Sequence, residues 1–211
     1  METNKISKKL LKRLPVYLAH LKSLPENSNV SATSIAKALG LGDVQVRKDL
    51  AKVSEAGRRR TGRSREQLIQ DIEAYLDFAA KTGTVIIGAG KLGRALLDYD
   101  GFDESGLNVM AGFDIQPSSG CSETGKPIYP MSRLESFCRY YNVCIGVITV
   151  PAESAQSVCD SMIACGITAI WNFAPIHLKV PEHVVVQSEN LAVSLTALRM
   201  QAKITEQLTK E

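Results

Sequence analysis

The chain has 211 residues, 45% hydrophobic and 22% charged, the balance of an ordinary globular protein with room for one large domain or a medium and a small one. No apolar run reaches the ~18 residues that span a bilayer, and METNKISKKLLKRL lacks the apolar core of a secretory signal, so no membrane-spanning helix and a cytoplasmic protein are expected. The net charge of +3 hides an asymmetry: residues 1–83 carry 16 Lys and Arg against 9 acids, residues 84–211 carry 9 against 13, and a basic first third suits contact with a polyanion.

Ile6–Leu24 has apolar residues at helical spacing, with Pro15 inside it expected to kink the helix or mark a restart. After the loop 25–29, Ser31 is placed to cap a short helix over Ala32–Leu39 that buries Ile35, Ala36 and Leu39. Gly40-Leu41-Gly42 makes a sharp turn, Asp43 is placed to cap again, and Val44–Val53 reads as a second helix with Val46, Leu50 and Val53 on one side. Two short helices across a glycine-containing turn form a helix-turn-helix. Ser34 and, on the second helix, Gln45, Arg47, Lys48 and Lys52 are the candidate DNA contacts, being residue types that reach base edges and phosphates. Arg58, Arg59, Arg60 and Arg63, framed by Gly57 and Gly62, suit a β-hairpin wing over the phosphate backbone. The bland readings are an αα-hairpin and a solvated charged loop, but together on a basic segment these features favour a winged-helix DNA-binding domain. Ser64–Ala80 reads as a connecting helix that buries its apolar face between two halves of the protein.

The apolar run Val85-Ile86-Ile87 breaks into Gly88-Ala89-Gly90-Lys91-Leu92-Gly93 and continues as a helix over Arg94–Tyr99. Strand, glycine-rich turn and helix form a dinucleotide fingerprint. Gly88 permits the tight turn, Gly90 lets the backbone approach a pyrophosphate, Gly93 lets helix and sheet pack, and N–H groups at the helix start bind phosphate. The next apolar run, Leu107–Phe113, ends at Asp114, about 20 residues on, where a carboxylate accepts from a ribose hydroxyl and repels a 2′-phosphate, favouring NAD(H). A Gly-, Ser- and Pro-rich loop over 115–130 follows, then a helix Met131–Tyr141, a buried parallel strand Val143–Val150, a helix Ala152–Cys165 closed by Gly166, a strand Ile167–Phe173 and a short strand Val184–Val186. This alternation gives an α/β, doubly wound parallel sheet that is Rossmann-like, with ligands outside the carboxyl ends of its strands: Gly88–Gly93, Thr149-Val150-Pro151 and Asn172-Phe173-Ala174. Leu191–Leu208 closes the chain as an amphipathic helix, expected either to pack on its own domain or to bind a partner.

The five cysteines form no CxxC pair and read as reduced, mostly buried thiols, and the three histidines have no ligand spacing, so no metal is assigned. The organisation expected is a winged-helix domain with its connecting helix over 1–80, an NAD(H)-binding domain over 81–188 and a C-terminal dimerisation helix over 189–211. An NAD-dependent oxidoreductase would need an acid/base beside the nicotinamide; neither His177 nor His183 lies at a strand end, and Tyr99 has no evident lysine partner. A CoA- or nucleotide-binding module of similar topology stays open, and would not require Asp114.

Five collinear stretches, Arg13–Leu18, VQVRKDL over Val44–Leu50, GAGKLGRALLDYDGF, VPAESAQ over Val150–Gln156 and NFAPIHLKVP over Asn172–Pro181, together resemble the Rex redox-sensing transcriptional repressors over nearly the whole chain. The resemblance implies a homodimer whose winged helices bind double-stranded operator DNA and whose Rossmann-like domain senses NADH against NAD. It also implies a carboxy-terminal helix exchanged between protomers, with NADH changing the angle between the DNA-binding domains so that DNA is released. Carried over, Gly88, Gly90 and Gly93 meet the pyrophosphate and Asp114 the adenosine ribose. Tyr99, Val150, Pro151, Phe173 and Ala174 surround the nicotinamide half, and Arg47 and Lys48 contact groove or phosphate. The wing departs from the family's aromatic and glycine pattern, with Ala56, Arg60 and Arg63 at the altered positions. The family's switch among a first-helix arginine, a tyrosine, and an acid and aromatic at the last helix keeps only Tyr99; Ala19, Asn190 and Leu191 stand at the others, so a charge-based switch does not operate as such.

Overall fold

The computed structural model describes residues 7–54, 63–76, 82–117 and 120–208. The chain divides into two compact units, Met1–Ala80 and Lys81–Glu211. No described helix is long and apolar enough to cross a membrane.

The first unit holds α1 (Lys8–Lys22), β1 (Asn29–Val30), α2 (Ala32–Leu39), α3 (Asp43–Val53), β2 (Arg63–Ser64) and α4 (Arg65–Tyr75). α1 runs through Pro15 instead of restarting there: Leu10, Leu14, Leu18 and Leu21, all buried, recur at helical spacing and tie both halves to one core. Ser31 caps α2 as expected, its hydroxyl accepting from the Ser34 N–H at 3.0 Å while Ser34 Oγ accepts from the Ser31 N–H, a reciprocal capping box. Gly40 ends α2 at φ +64, where a side chain would be strained. Asp43 does not cap α3; Gly42 precedes the helix, and the Asp43 carboxylate accepts from Thr33 Oγ1 and Arg47 instead. β1 and β2 pair antiparallel, Val30 opposite Arg63, which places the end of the expected wing segment beside α2. Arg65 closes α1 from across the unit by donating to the carbonyls of Leu21 and Lys22. α4 ends sooner than the sequence suggests, and its buried Leu68 and Ile72 pack with Leu14, Tyr17, Ile35 and Leu50 inside the first unit. These two residues complete the core of the first unit.

The second unit holds β3 (Thr82–Ile87), α5 (Lys91–Leu97), a 3-10 helix (Asp100–Ser105), β4 (Leu107–Asp114), β5 (Ile128–Pro130), α6 (Leu134–Tyr141), β6 (Ile145–Ile148), α7 (Ala152–Ala164), β7 (Ala169–Asn172), β8 (Val185–Ser188) and α8 (Leu191–Leu208). Its six strands are all parallel, in the order β5-β4-β3-β6-β7-β8. Counted from β3 this is 3-2-1-4-5-6, the doubly wound dinucleotide order, whose switch point lies between β3 and β6. Alternate residues of β3 serve the two faces: Val85 and Ile87 enter one core with Phe113, Ile148 and Met162, Ile86 the other with Leu97, Val109 and Val147. β5 was not expected, since three residues are too few for a periodic signal; its backbone pairs with Gly112–Asp114. Gly166, at φ +91 just past α7, supplies the left-handed turn expected of it.

Candidate functional site

Two sets of side chains carry chemistry, one in each unit. In the second, β3 and β6 end side by side, and the chain leaving β3 turns at Gly88 with φ +99. A Cβ at Gly88 would stand 2.9 Å from Val150 Cγ1, and one at Gly93 would overlap the Gly88 carbonyl oxygen and lie 2.8 Å from Thr149 Oγ1. Both glycines are therefore required by close backbone approach. At Gly90, by contrast, a Cβ would meet nothing within 4 Å. That open backbone lines a cleft of about 250 Å³ together with Gly88, Asp114, Thr149, Val150 and Pro151.

Thr149 locks the turn, its hydroxyl lying 2.7 Å from the Gly88 carbonyl and 3.1 Å from that of Ile87. Asp114, at the end of β4, accepts from the Ala89 N–H at 2.7 Å and the Gln116 N–H at 2.9 Å, so the carboxylate ties the glycine loop to the end of β4. Arg94 Nε donates to the Ala89 carbonyl and holds the loop from the helix side, while Lys91 and Leu92 lie exposed on the first turn of α5. The apolar walls, Ile87, Ile115, Met131 and Val158, were not read from the sequence; they sit in four separate elements and loops, and only the β4-β5 pairing brings Met131 to the cleft.

Of the residues expected on the nicotinamide side, Val150 and Pro151 line this cleft, while Tyr99, Phe173 and Ala174 lie elsewhere on the same unit. Tyr99 is not on α5 but precedes the 3-10 helix, 56% exposed. Its ring meets Phe102 edge-on at 5.0 Å, Phe102 meets Trp171 at 6.0 Å, and Trp171 meets Phe173 at 4.5 Å, giving an aromatic row from Tyr99 to the end of β7. Asn172, expected at the ligand, is fully buried and builds the turn, its amide donating to the carbonyls of Ala174 and Ile176 and accepting from the Ala174 N–H. Ala174 is buried by the turn that Asn172 builds. Asn190 caps α8 by accepting from the Val193 N–H, which accounts for an amide there.

In the first unit, Arg47, Lys48 and Lys52 are exposed on α3, with Arg47 paired to Asp43 at 2.6 Å. Ser34 is exposed, its hydroxyl engaged in capping α2. Arg63 sits in β2 with its Nε buried and unpaired among the described residues, and burial lowers its guanidinium's pKa, so it belongs partly to the scaffold. Arg58, Arg59 and Arg60 lie outside the described residues. A buried cluster was missed: Arg13 Nε and Nη2 donate to Asp49 at 2.6 and 2.9 Å, and the Tyr17 hydroxyl and Gln45 Nε2 donate to it at 2.9 and 2.8 Å. Burial raises the Asp49 carboxyl's pKa, but these hydrogen bonds outweigh it and hold the group below its ordinary value. Arg13 and Tyr17 are 36 and 32 residues away from Asp49, beyond any local pattern.

Comparison with known proteins decides between the readings of this pair of sites. A family model described as a putative DNA-binding protein N-terminus matches residues 5–51, and one described as a CoA binding domain matches residues 79–176. The Redox-sensing transcriptional repressor Rex of Bacteroides fragilis is 38% identical over 200 residues, 93% of this chain and 91% of that one, and its counterpart in Porphyromonas gingivalis is 39% identical over 197 residues, 92% and 90%. The chain belongs to the Rex family. Among solved structures, the Rex-family repressor RSP in complex with β-NAD+ and operator DNA superposes with a TM-score of 0.86 at 31% identity, covering 97% of this chain and 96% of that one.

Within this Rex chain, Cys138 and Cys159 are buried, Cys165 is half-buried and Cys121 and Cys144 are exposed, so fewer cysteines are buried than the sequence suggested. No cluster of potential metal ligands occurs among the described residues.

Proposed function

We propose that this chain is a DNA-binding transcriptional repressor that senses the NADH/NAD ratio and releases operator DNA when NADH binds. The observation that carries the reading is the coexistence, in one chain, of a helix-turn-helix whose α3 exposes Arg47, Lys48 and Lys52 and of a cleft at the β3-β6 switch point lined by Gly88, Gly90 and Asp114. The residues present fit a dinucleotide: Gly90 offers backbone with open space over it, and Asp114 is acceptor-only at the ribose position. When bound, the cofactor supplies a nicotinamide ring that does or does not carry a hydride, and the protein reads that state without turning it over.

Gly88, Ala89, Gly90, Lys91, Leu92 and Gly93 would hold the pyrophosphate, Asp114 the adenosine ribose, and Thr149, Val150 and Pro151 the β6 side. Tyr99, Phe173 and Ala174 would stand toward the nicotinamide. Asp114 also favours this reading over a CoA-type module, which has no use for an acid there. Arg47, Lys48, Lys52 and Gln45 would face the operator, aided by the wing arginines. A cytoplasmic location would suit this role on DNA.

Residues 189–211 would form the dimerisation segment exchanged between two copies. What supports this is that Leu191, Val193, Leu195, Leu198, Met200 and Ile204 are 56–67% exposed along α8 in the single chain, an apolar content typical of a buried interface. A palindromic site bound by such a dimer should show affinity that falls steeply with salt. Gel shifts at two ionic strengths, with and without NADH, test the reading; DNA affinity independent of both would sink it.

A further inference from the structure

The carboxylate of Asp49 is 3% exposed and accepts four hydrogen bonds, two on each oxygen: Arg13 Nε and Tyr17 Oη on Oδ2, Arg13 Nη2 and Gln45 Nε2 on Oδ1. An ionised carboxylate only accepts, so Gln45 must turn its NH2 toward it; the opposite amide orientation would set oxygen against oxygen. Gln45 itself is exposed, one helical turn before Asp49 on α3. Its amide is therefore oriented from within the core by two residues of α1, and what it turns outward is a carbonyl oxygen and one remaining N–H.

We infer that Asp49 is a positioning residue that fixes the Gln45 amide to read adenine in the major groove. This rests on the DNA-binding reading above and adds the base that is read. An outward oxygen accepts from adenine N6–H2 while the remaining N–H donates to N7, the bidentate match of a glutamine to adenine. Guanine offers acceptors at both positions and so sets O6 against the Gln45 oxygen, and each pyrimidine edge satisfies only one of the two groups. Holding the amide in place before DNA arrives removes the rotamer cost of ordering it in the complex. Val44, 63% exposed beside Gln45, offers the groove an apolar contact suited to thymine methyl groups, so the start of α3 is built for an A·T step.

The test uses the full chain and a duplex selected by it from a random pool. At one position in each half-site, 7-deazaadenine or a G·C pair should weaken wild-type binding about 10- to 100-fold. Gln45→Leu, an exposed change, should abolish that preference at this position and leave the others as they were. Asp49→Asn, whose amide can turn either way, should flatten the preference at the same position only; a purely structural loss would weaken binding at every position alike. If Asp49→Asn does not fold, the Gln45→Leu and 7-deazaadenine results decide by themselves. Unchanged base preference at every position in Gln45→Leu overturns the inference while leaving operator binding intact. Failure of the wild type to select any duplex overturns the DNA-binding reading and the inference with it.

Discussion

Gly90 and Gly93 are three residues apart in one loop, yet their replacement by alanine should have opposite signatures. At Gly93 the new methyl would overlap the Gly88 carbonyl oxygen, and because the obstacle is backbone it cannot swing aside. Overpacking of this kind costs about 1–3 kcal/mol, here at the upper end, so the melting temperature of the second unit should fall by roughly 10 °C and dinucleotide binding should fail with the loop. At Gly90 the methyl meets nothing, and the backbone, at φ −72 and ψ −168, is open to any residue, so stability should stay within about 0.5 kcal/mol of the wild type. The same methyl stands where a pyrophosphate must come against the chain. A comparable steric cost, charged to the complex alone, predicts NADH affinity lower by about 5- to 150-fold. Thermal melts followed by circular dichroism and calorimetric NADH titrations on both variants read the two effects separately. A Gly90→Ala protein that binds NADH as tightly as the wild type would refute the placement of the pyrophosphate at this loop.

Three further outcomes follow from particular contacts. Asp114→Ala leaves the Ala89 and Gln116 N–H groups without their carboxylate and should weaken NADH binding about 10-fold or more while narrowing the preference over NADPH, measured by competitive titration. The Tyr17 hydroxyl is pushed up to about 12 by burial and by its hydrogen bond to Asp49. Since an unfolded tyrosine titrates near 10, the stabilisation is complete below pH 10 and lost as the pH rises through 12, so denaturant melts of the first unit should weaken over that window in the wild type and less in Tyr17→Phe. Ending the chain at Glu189 removes α8 and should yield a monomer in sedimentation experiments; a persistent dimer would place the interface elsewhere.

Much of this was legible in the sequence because the relevant signals are local. The glycine spacing, the strand before it and Asp114 about 20 residues on lie within one βαβ unit, and the Ser31 cap, Gly40 turn and α3 periodicity lie within about two dozen residues. What escaped notice depends on distant pairing or on competition between local rules. The Arg13-Asp49-Tyr17 cluster joins two helices whose separate periodicities say nothing of each other. β5 is visible only through its ladder with β4, and without it Met131 has no reason to reach the cleft. Asn172 sits at a strand end, where ligands are expected, but its amide is consumed in building the turn behind Phe173. Pro15 carries a strong local signal for a break, overridden by the buried leucines on either side of it.

The central claim, that one chain couples the redox state of a dinucleotide to its hold on DNA, is tested most directly by fluorescence anisotropy of a labelled operator duplex. Total dinucleotide is kept constant and saturating while the NADH fraction rises from zero to one. The account predicts a high-affinity complex in NAD that dissociates as NADH replaces it. DNA affinity that stays level across the whole ratio, with both forms shown to bind, would contradict it.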